Sequence, residues 1–149
     1  AAIGAIRGHH GAAWLGWARV QSDRLATART EATRSAVLVA TKMAGYSYQS
    51  LTTDFADVEK ASTPSFAATF EKQSSSLVSI LKKYKATSSG KVSDAAVEKW
   101  STSRAEVLVI VDQTVKNSTT AHPSQQENGL LLTMVHQHGR WLLDSVSVK

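Results

Sequence analysis

The sequence has no cysteine, and its 149 residues include only two prolines and eight glycines. Without cysteine the chain has no disulfide framework, no thiol nucleophile and no thiolate zinc site. Charged residues make up 19% and hydrophobic residues 42%, spread along the whole chain, which excludes a disordered or collagen-like composition. A chain of this length is expected to form one domain with a sizeable core.

The sequence also lacks the common motifs of catalytic and metal sites: a glycine-rich phosphate loop, a Gly-x-Ser-x-Gly elbow and a His-Glu-x-x-His pair. Asp112 and Asp144 lie within strand patterns, where a buried carboxylate can act as a general base. Neither has a tyrosine or histidine partner at a readable spacing, so we predict hydrogen-bonding roles for both. His136 and His138 would share one face of a strand, but a third metal ligand is missing, and we predict solvent-facing turn residues. The sequence therefore predicts no catalytic residue, no cofactor and no metal.

Basic residues outnumber acidic ones by 17 to 12, a net charge of +5. One stretch, between Glu71 and Asp94, contains no acidic residue, and four lysines are concentrated within its residues 82–91. We call these four the lysine group: Lys82, Lys83, Lys85 and Lys91. Because the group lacks a series of interleaved aromatic residues that would stack on successive bases, with Tyr84 alone among them, it does not indicate nucleic-acid binding. Its plain interpretation is a solvated surface, and its functional interpretation is contact with a partner protein or with anionic headgroups.

The N-terminal region resembles the end of a membrane helix. It has no run of the roughly 20 apolar residues that span a bilayer, but Trp14 and Trp17 stand just before Arg19, as at a membrane interface. We therefore expect residues 1–21 to be the remnant of a membrane-proximal or transmembrane anchor. An apolar run of about 20 residues should lie upstream, and residues 22–149 should form a single extracytoplasmic domain.

Helical periodicity dominates the first half of the chain. From Ser22 to about Ala44 there is no glycine or proline and apolar residues recur every three or four positions, which predicts a long helix with Ser22 as N-cap and Gly45 as stop signal. A short helix should follow over residues 51–58. The third helix should begin at Thr63-Pro64 and end before residue 88. Its predicted buried stripe is Phe66, Phe70, Leu77, Leu81 and Tyr84.

The second half of the chain has strand patterns instead. Apolar residues alternate from Ala105 to Val111, and two further strands are predicted over residues 130–135 and 141–148, after a polar loop at 117–127. Residues 91–100 fit either a strand or a helical turn, and we assign a strand. The predicted fold class is α+β, with three N-terminal helices packed on a curved antiparallel sheet of about four strands.

His138-Gly139 has the length and glycine position of a two-residue hairpin turn. This turn sets Gln137 opposite Arg140 and His136 opposite Trp141. The same register predicts two further pairs, Val135 with Leu142 and Met134 with Leu143.

Three segments carry a family resemblance. These are Tyr46-Ser47-Tyr48-Gln49-Ser50-Leu51 followed by Asp54-Phe55, the strand VLVIVDQTVKN from Val107 to Asn117, and GRWLLDSV from Gly139 to Val146. Together they resemble the Mce-associated membrane proteins of actinobacteria, over about Arg24 to the C-terminus. The resemblance implies a single-pass anchor in the cytoplasmic membrane and a cystatin-like, nuclear-transport-factor-like cone on the extracytoplasmic side.

The resemblance also implies a function. Such proteins are encoded with Mce transporters, which import lipids, fatty acids or sterols, and they act as accessory or stabilising subunits rather than as enzymes. The expected partners are Mce transporter subunits or related envelope proteins, the membrane and a lipid. A small lipid-binding carrier and an isomerase-like enzyme remain alternatives, because cones of this superfamily host both. Each alternative requires an apolar cavity between the sheet and the helices.

Overall fold

The computed structural model describes the backbone of residues 9–149 and the side chains of residues 11–149. Residues 1–8 of the predicted anchor remnant lie outside the described residues. Four helices and five strands follow one another in the chain. They are α1 (His9–Ala44), β1 (Tyr46–Ser47), α2 (Leu51–Lys60), α3 (Pro64–Ser75), α4 (Val78–Lys83), β2 (Thr87–Trp100), β3 (Arg104–Lys116), β4 (Ser124–Gln137) and β5 (Arg140–Val148).

The five strands form one antiparallel sheet in the order β1-β2-β3-β4-β5, which curls into a half-barrel with the helices on one face. The predicted α+β class is confirmed, and the sheet gains the two-residue strand β1. Residues 91–100 lie within β2, so the strand assignment there is correct. β4 begins at Ser124, which shortens the predicted loop.

The long helix α1 packs across the inner face of the sheet. It is buried from Ala28 onward through a stripe of small side chains four residues apart, Ala28, Ala32, Ala36 and Ala40. Small residues allow the helix to approach the sheet closely. Gly45 follows the last helical residue as predicted, and its amide donates to the Thr41 carbonyl at 3.1 Å.

The start of α1 differs from the prediction. Ser22 is not an N-cap but lies inside a helix of 36 residues, because no proline interrupts the chain upstream and the glycines there do not break the helix. Trp14, Leu15, Trp17 and Val20 are all exposed in this N-terminal part. Among residues 9–149, no helix has a stretch apolar enough and long enough to cross a membrane.

The predicted third helix is interrupted at a run of serines. α3 ends at Ser75 and α4 starts at Val78, so four helices replace the three expected. The Ser75 hydroxyl donates to the Glu71 carbonyl at 2.7 Å and the Ser76 hydroxyl donates to the Gln73 carbonyl at 2.7 Å. Such side-chain bonds compete with the helical backbone pattern. Leu77, predicted to be buried, lies at the interruption and is exposed.

The C-terminal hairpin matches its predicted register. Gln137 pairs with Arg140 and His136 pairs with Trp141, followed by the Val135–Leu142 and Met134–Leu143 pairs. His138 and Gly139 both have positive φ, 53° and 74°. This combination is that of a type I′ turn, which suits the twist of the strands on either side.

The two edges of the sheet differ. The outer edge of β5 is covered by the connection between α2 and α3: the Leu143 amide donates to the Ala61 carbonyl at 2.9 Å, and the Thr63 amide donates to the Leu143 carbonyl at 2.8 Å. The outer edge of β2 pairs with β1 only at Thr87 and Ser88. The β5 edge is therefore bridged by the chain itself at Leu143, and beyond Ser88 the β2 edge has no neighbouring strand among residues 9–149.

Candidate interaction surface

The structure divides the lysine group. Lys82 and Lys83 form the last turn of α4, and Lys85 follows with a positive φ of 49°. All three side chains are exposed, and the Lys83 ammonium lies 5.4 Å from the centre of the Tyr84 ring. We call Lys82, Lys83 and Lys85 the lysine triplet. It presents three positive charges within four consecutive residues.

Lys91 does not belong to this triplet. It lies on β2, and its partner in the sheet register is Asp112 of β3. Both side chains are exposed. A carboxylate directly across the strand offsets the lysine charge, so we exclude Lys91 from the positive surface.

The lysine triplet and the tryptophans of α1 lie at opposite ends of the domain. The triplet adjoins the C-terminus of α1, because the Tyr48 amide donates to the Ala86 carbonyl at 2.9 Å and the Ser88 hydroxyl donates to the Ala44 carbonyl at 2.6 Å. From Ala44 back to Trp17 the helix axis covers about 40 Å, at 1.5 Å per residue.

A groove of about 760 Å³ lies between α1 and β2. Trp100 forms one wall: its indole N–H donates to the Leu25 carbonyl at 3.0 Å, and the Arg29 guanidinium lies over its ring at 5.1 Å from the centre. Ala95 and Val97 of β2 also line this groove. Sequence analysis missed it, because Leu25 and Trp100 are distant in the chain.

A second groove, of about 460 Å³, lies on the other side of α1 and includes His136 and Trp141. The His136 ring packs against the Trp141 ring at a centroid distance of 5.1 Å. His136 and His138 are exposed at the hairpin, as predicted. In the described part of the chain, no three histidine, aspartate or glutamate side chains come together as a metal site would require.

The two candidate bases, Asp112 and Asp144, lie on different strands, β3 and β5. Asp112 is exposed opposite Lys91. Asp144 is half-buried and accepts a hydrogen bond of 3.0 Å from the Thr63 hydroxyl. Its predicted hydrogen-bonding role is confirmed.

The Tyr-Ser-Tyr segment of the family resemblance has a structural role. The Asp54 carboxylate accepts hydrogen bonds from the Ser47 amide at 2.9 Å and from the Ser50 hydroxyl at 2.8 Å, which fixes β1 to the start of α2. Burial raises the pKa of the Tyr46 phenol beside it. This segment therefore stabilises the fold by joining β1 to α2.

These features define a class of protein: an α+β domain with a cone-like fold similar to that of nuclear transport factor, whose exposed surfaces include a lysine triplet and grooves along α1. Its sequence matches a family model over almost its whole length. The chain belongs to the family described as uncharacterized protein Rv1363c/MT1408-like, with residues 3–148 matched. No curated protein matches it in sequence.

Solved structures share the fold at low sequence identity. An IcmL-like type IV secretion system protein from Legionella pneumophila is similar with a TM-score of 0.67 and 11% identity, over 81% of this chain and 91% of that one. The periplasmic domain of DotI gives 0.64 and 12%, over 78% and 91%. CagV, a VirB8 homolog of the Helicobacter pylori type IV secretion system, gives 0.60 and 10%, over 78% and 95%. At these identities the similarity establishes the fold alone.

Proposed function

We propose that this chain is the extracytoplasmic domain of a non-enzymatic accessory subunit of an Mce-type lipid or sterol importer. In this proposal an upstream helix continuous with α1 anchors it in the cytoplasmic membrane, and Mce transporter subunits are its partners. The observation that carries the proposal is that α1 occupies the space over the inner face of the sheet from Ala28 onward, and both grooves described above lie beside this contact, open to the surface. A carrier or an isomerase-like enzyme would need that space for its ligand.

Packing along α1 supports this view. Ala32, Ala36, Val39 and Ala40 are fully buried. They belong to the same apolar cluster as side chains of three strands, which are Val107, Val109, Val111, Leu132, Met134 and Leu143. Protein interiors of this kind are close-packed, with few voids larger than a water molecule. Ligand binding there would require α1 to leave the sheet.

The family resemblance and the fold comparison favour a place in the cell envelope. The three segments quoted above resemble Mce-associated proteins. Among the proteins of similar fold, one is the periplasmic domain of DotI and two belong to type IV secretion systems. A domain of this fold serving as a subunit of an envelope assembly is consistent with both comparisons.

The position of the lysine triplet favours a protein partner over the membrane. If the anchor lies upstream of α1, the triplet is at the far end of the domain, about 40 Å along the helix from Trp17. Exposed charges are screened over about 10 Å at 0.1 M ionic strength. The triplet therefore faces away from the headgroups of the anchoring membrane and towards other extracytoplasmic subunits.

The test is co-purification of Mce subunits with the full-length protein, together with lipid uptake in cells that carry each variant. Lys82→Glu, Lys83→Glu and Lys85→Glu in combination should weaken association, and association of the unmodified protein should fall as salt rises. The matched control reverses three exposed lysines elsewhere, Lys60, Lys72 and Lys149, with the same change in net charge.

Asp112→Asn and Asp144→Asn test the enzymatic alternative. A positioned general base typically contributes about 100-fold to 10,000-fold to a rate, so an enzyme would lose most of its activity. We expect near-normal uptake in both variants. Loss of uptake by a folded and correctly assembled Asp112→Asn protein would favour an enzyme, and equal association of the triplet variant and its control would remove the triplet from the proposal.

A further inference from the structure

The outer edge of β2 has no neighbouring strand from Ser89 to Trp100 among residues 9–149. At the other edge of the sheet, residues 61–63 bond to the backbone of Leu143 in β5. An open edge presents a row of backbone N–H and C=O groups, which is a template for another strand. The chemistry of such an edge specifies its occupant as an extended polypeptide.

The outward-pointing groups can be identified near the middle of β2. The Ser93 hydroxyl donates to the Ile110 carbonyl at 3.4 Å, so this carbonyl of β3 faces β2. Asp94 pairs with Ile110 and so turns its backbone groups towards β3. Because backbone groups alternate along a strand, the Ala95 amide points to the outer edge, and it donates to the Asp94 carboxylate at 2.9 Å. By the same alternation, the Val97 amide lies on this edge too.

The side chains of Ala95 and Val97 face α1 and line the 760 Å³ groove. A strand added beside them would direct every second side chain into that groove, since facing residues in a pair of strands share a face. Leu25 and Trp100 provide apolar contact, and the Arg29 guanidinium is the one charged group in the lining described for this groove. The groove therefore complements apolar side chains together with a carboxylate.

We infer that the edge of β2 from Asp94 to Val97, with the adjoining groove, binds an extended acidic segment of a partner protein by strand addition. The partner strand bonds to the backbone groups of Ala95 and Val97 and displaces the Asp94 carboxylate from the Ala95 amide. A carboxylate of the segment lies near Arg29. This inference concerns the mode of binding, and it holds whichever envelope protein supplies the segment.

A second copy of the chain fits this edge poorly. Register shifts interrupt β2 between Val92 and Asp94 and again between Val97 and Lys99. If two copies of β2 paired with each other, both strands would contain these interruptions. Only residues 94–97 of each copy would then form a regular stretch. Each copy also carries a net charge of +5, which opposes self-association and favours an acidic partner.

The experiment uses the acetylated, fluorescein-labelled peptide EVTVTVE and the isotope-labelled domain. We expect saturable binding, with the largest amide shifts at Ala95 and Val97. A control peptide with N-methylated valines, which cannot donate from those positions, should not bind. No binding of EVTVTVE at millimolar protein, or amide shifts confined to other surfaces, would overturn the inference.

Variants at one amide should have opposite effects. Ala95→Pro removes the outward N–H without removing a bond to β3 and should weaken binding at least about tenfold, the equivalent of one good hydrogen bond. Asp94→Ala frees the same N–H and should tighten binding more than Asp94→Asn, which removes the charge but keeps an acceptor. Equal tightening by both Asp94 variants would mean that the carboxylate acts only through its charge, against the inference.

Further controls keep the outcome clear. Thermal unfolding reports whether the Ala95→Pro variant is folded. The Val97→Arg variant blocks the groove but keeps the backbone groups in place, and it should also abolish peptide binding. Concentration-dependent changes at Ala95 and Val97 without peptide would assign the edge to a second copy instead. Peptide binding that persists while Mce subunits fail to co-purify would separate this inference from the proposed function.

Discussion

The Thr63 hydroxyl donates a 3.0 Å hydrogen bond to the Asp144 carboxylate, across 81 positions of the chain. The same hydroxyl oxygen accepts from the Phe66 amide at 3.2 Å, so Thr63 is also the N-cap of α3. Thr63 is buried, with 3% of its surface exposed. One side chain thus fixes the start of a helix to the last strand of the sheet, and Asp144 has a structural role there.

Thr63→Val should lower the free energy of unfolding by about 1 to 3 kcal/mol, because it removes the cap and leaves the Asp144 carboxylate without this donor. Thr63→Ser keeps the hydroxyl and is the matched control, with a smaller loss. Urea unfolding of both variants measures the difference. Equal losses in the two would mean that the threonine methyl group, not the hydroxyl, stabilises this joint.

Gly90 allows the end of α1 to approach β2. A Cβ atom at this position would lie 2.2 Å from the Ala44 Cβ and 3.4 Å from a Val111 methyl group. Gly90→Ala should therefore destabilise the domain by about 1 to 3 kcal/mol through overpacking. Gly129→Ala is the control, since its Cβ would make only ordinary contacts of 3.7 Å or more. Calorimetric melting of the two variants should separate them by several degrees, and no difference would argue against this close approach.

Gly139 provides the turn of the C-terminal hairpin. A Cβ there would meet no atom within 4 Å, so the cost of substitution is set by the backbone φ of 74° alone. Gly139→Val should cost about 1 to 2 kcal/mol, because β-branched residues tolerate this region poorly. Gly139→Asn should cost less. Unchanged stability in the valine variant, measured by denaturant unfolding, would contradict the type I′ turn.

The Asp54 carboxylate joins β1 to α2 through the Ser47 amide and the Ser50 hydroxyl. Asp54→Ala should destabilise the domain by about 1 to 3 kcal/mol, since it leaves the part-buried Ser47 amide without its acceptor. Asp54→Asn retains an acceptor oxygen and should be milder. Hydrogen exchange of the Ser47 amide checks the mechanism directly: exchange should accelerate in the alanine variant, and unchanged exchange would exclude this bond.

Features set by near neighbours were predictable from the sequence. The register of the last hairpin followed from His138-Gly139 and the alternation on either side, and all four predicted pairs are present. The Gly45 stop signal is also correct. The break between α3 and α4 was not predicted, because the helical spacing of apolar residues continues through Leu77. The break occurs where serine hydroxyls donate hydrogen bonds to backbone carbonyls.

The candidate surfaces were only partly predictable. The sequence shows directly that the lysines are separated from acidic residues along the chain, and it predicts that they are exposed. The pairing of Lys91 with Asp112, however, depends on the strand register. The groove between α1 and β2 required knowledge that Leu25 and Trp100, separated by 75 positions, are hydrogen-bonded. Contacts of this kind leave no periodic signal in either segment.

The unbroken course of α1 has a mechanical consequence. A helix of 36 residues is about 54 Å long. From Leu25 onward it is held against the sheet, while Trp14 and Trp17 near its start are exposed. Because α1 is one continuous helix, a tilt or rotation of the segment around Trp14 and Trp17 turns the whole half-barrel with it. Whatever holds that segment sets the direction in which both the lysine triplet and the open edge of β2 point.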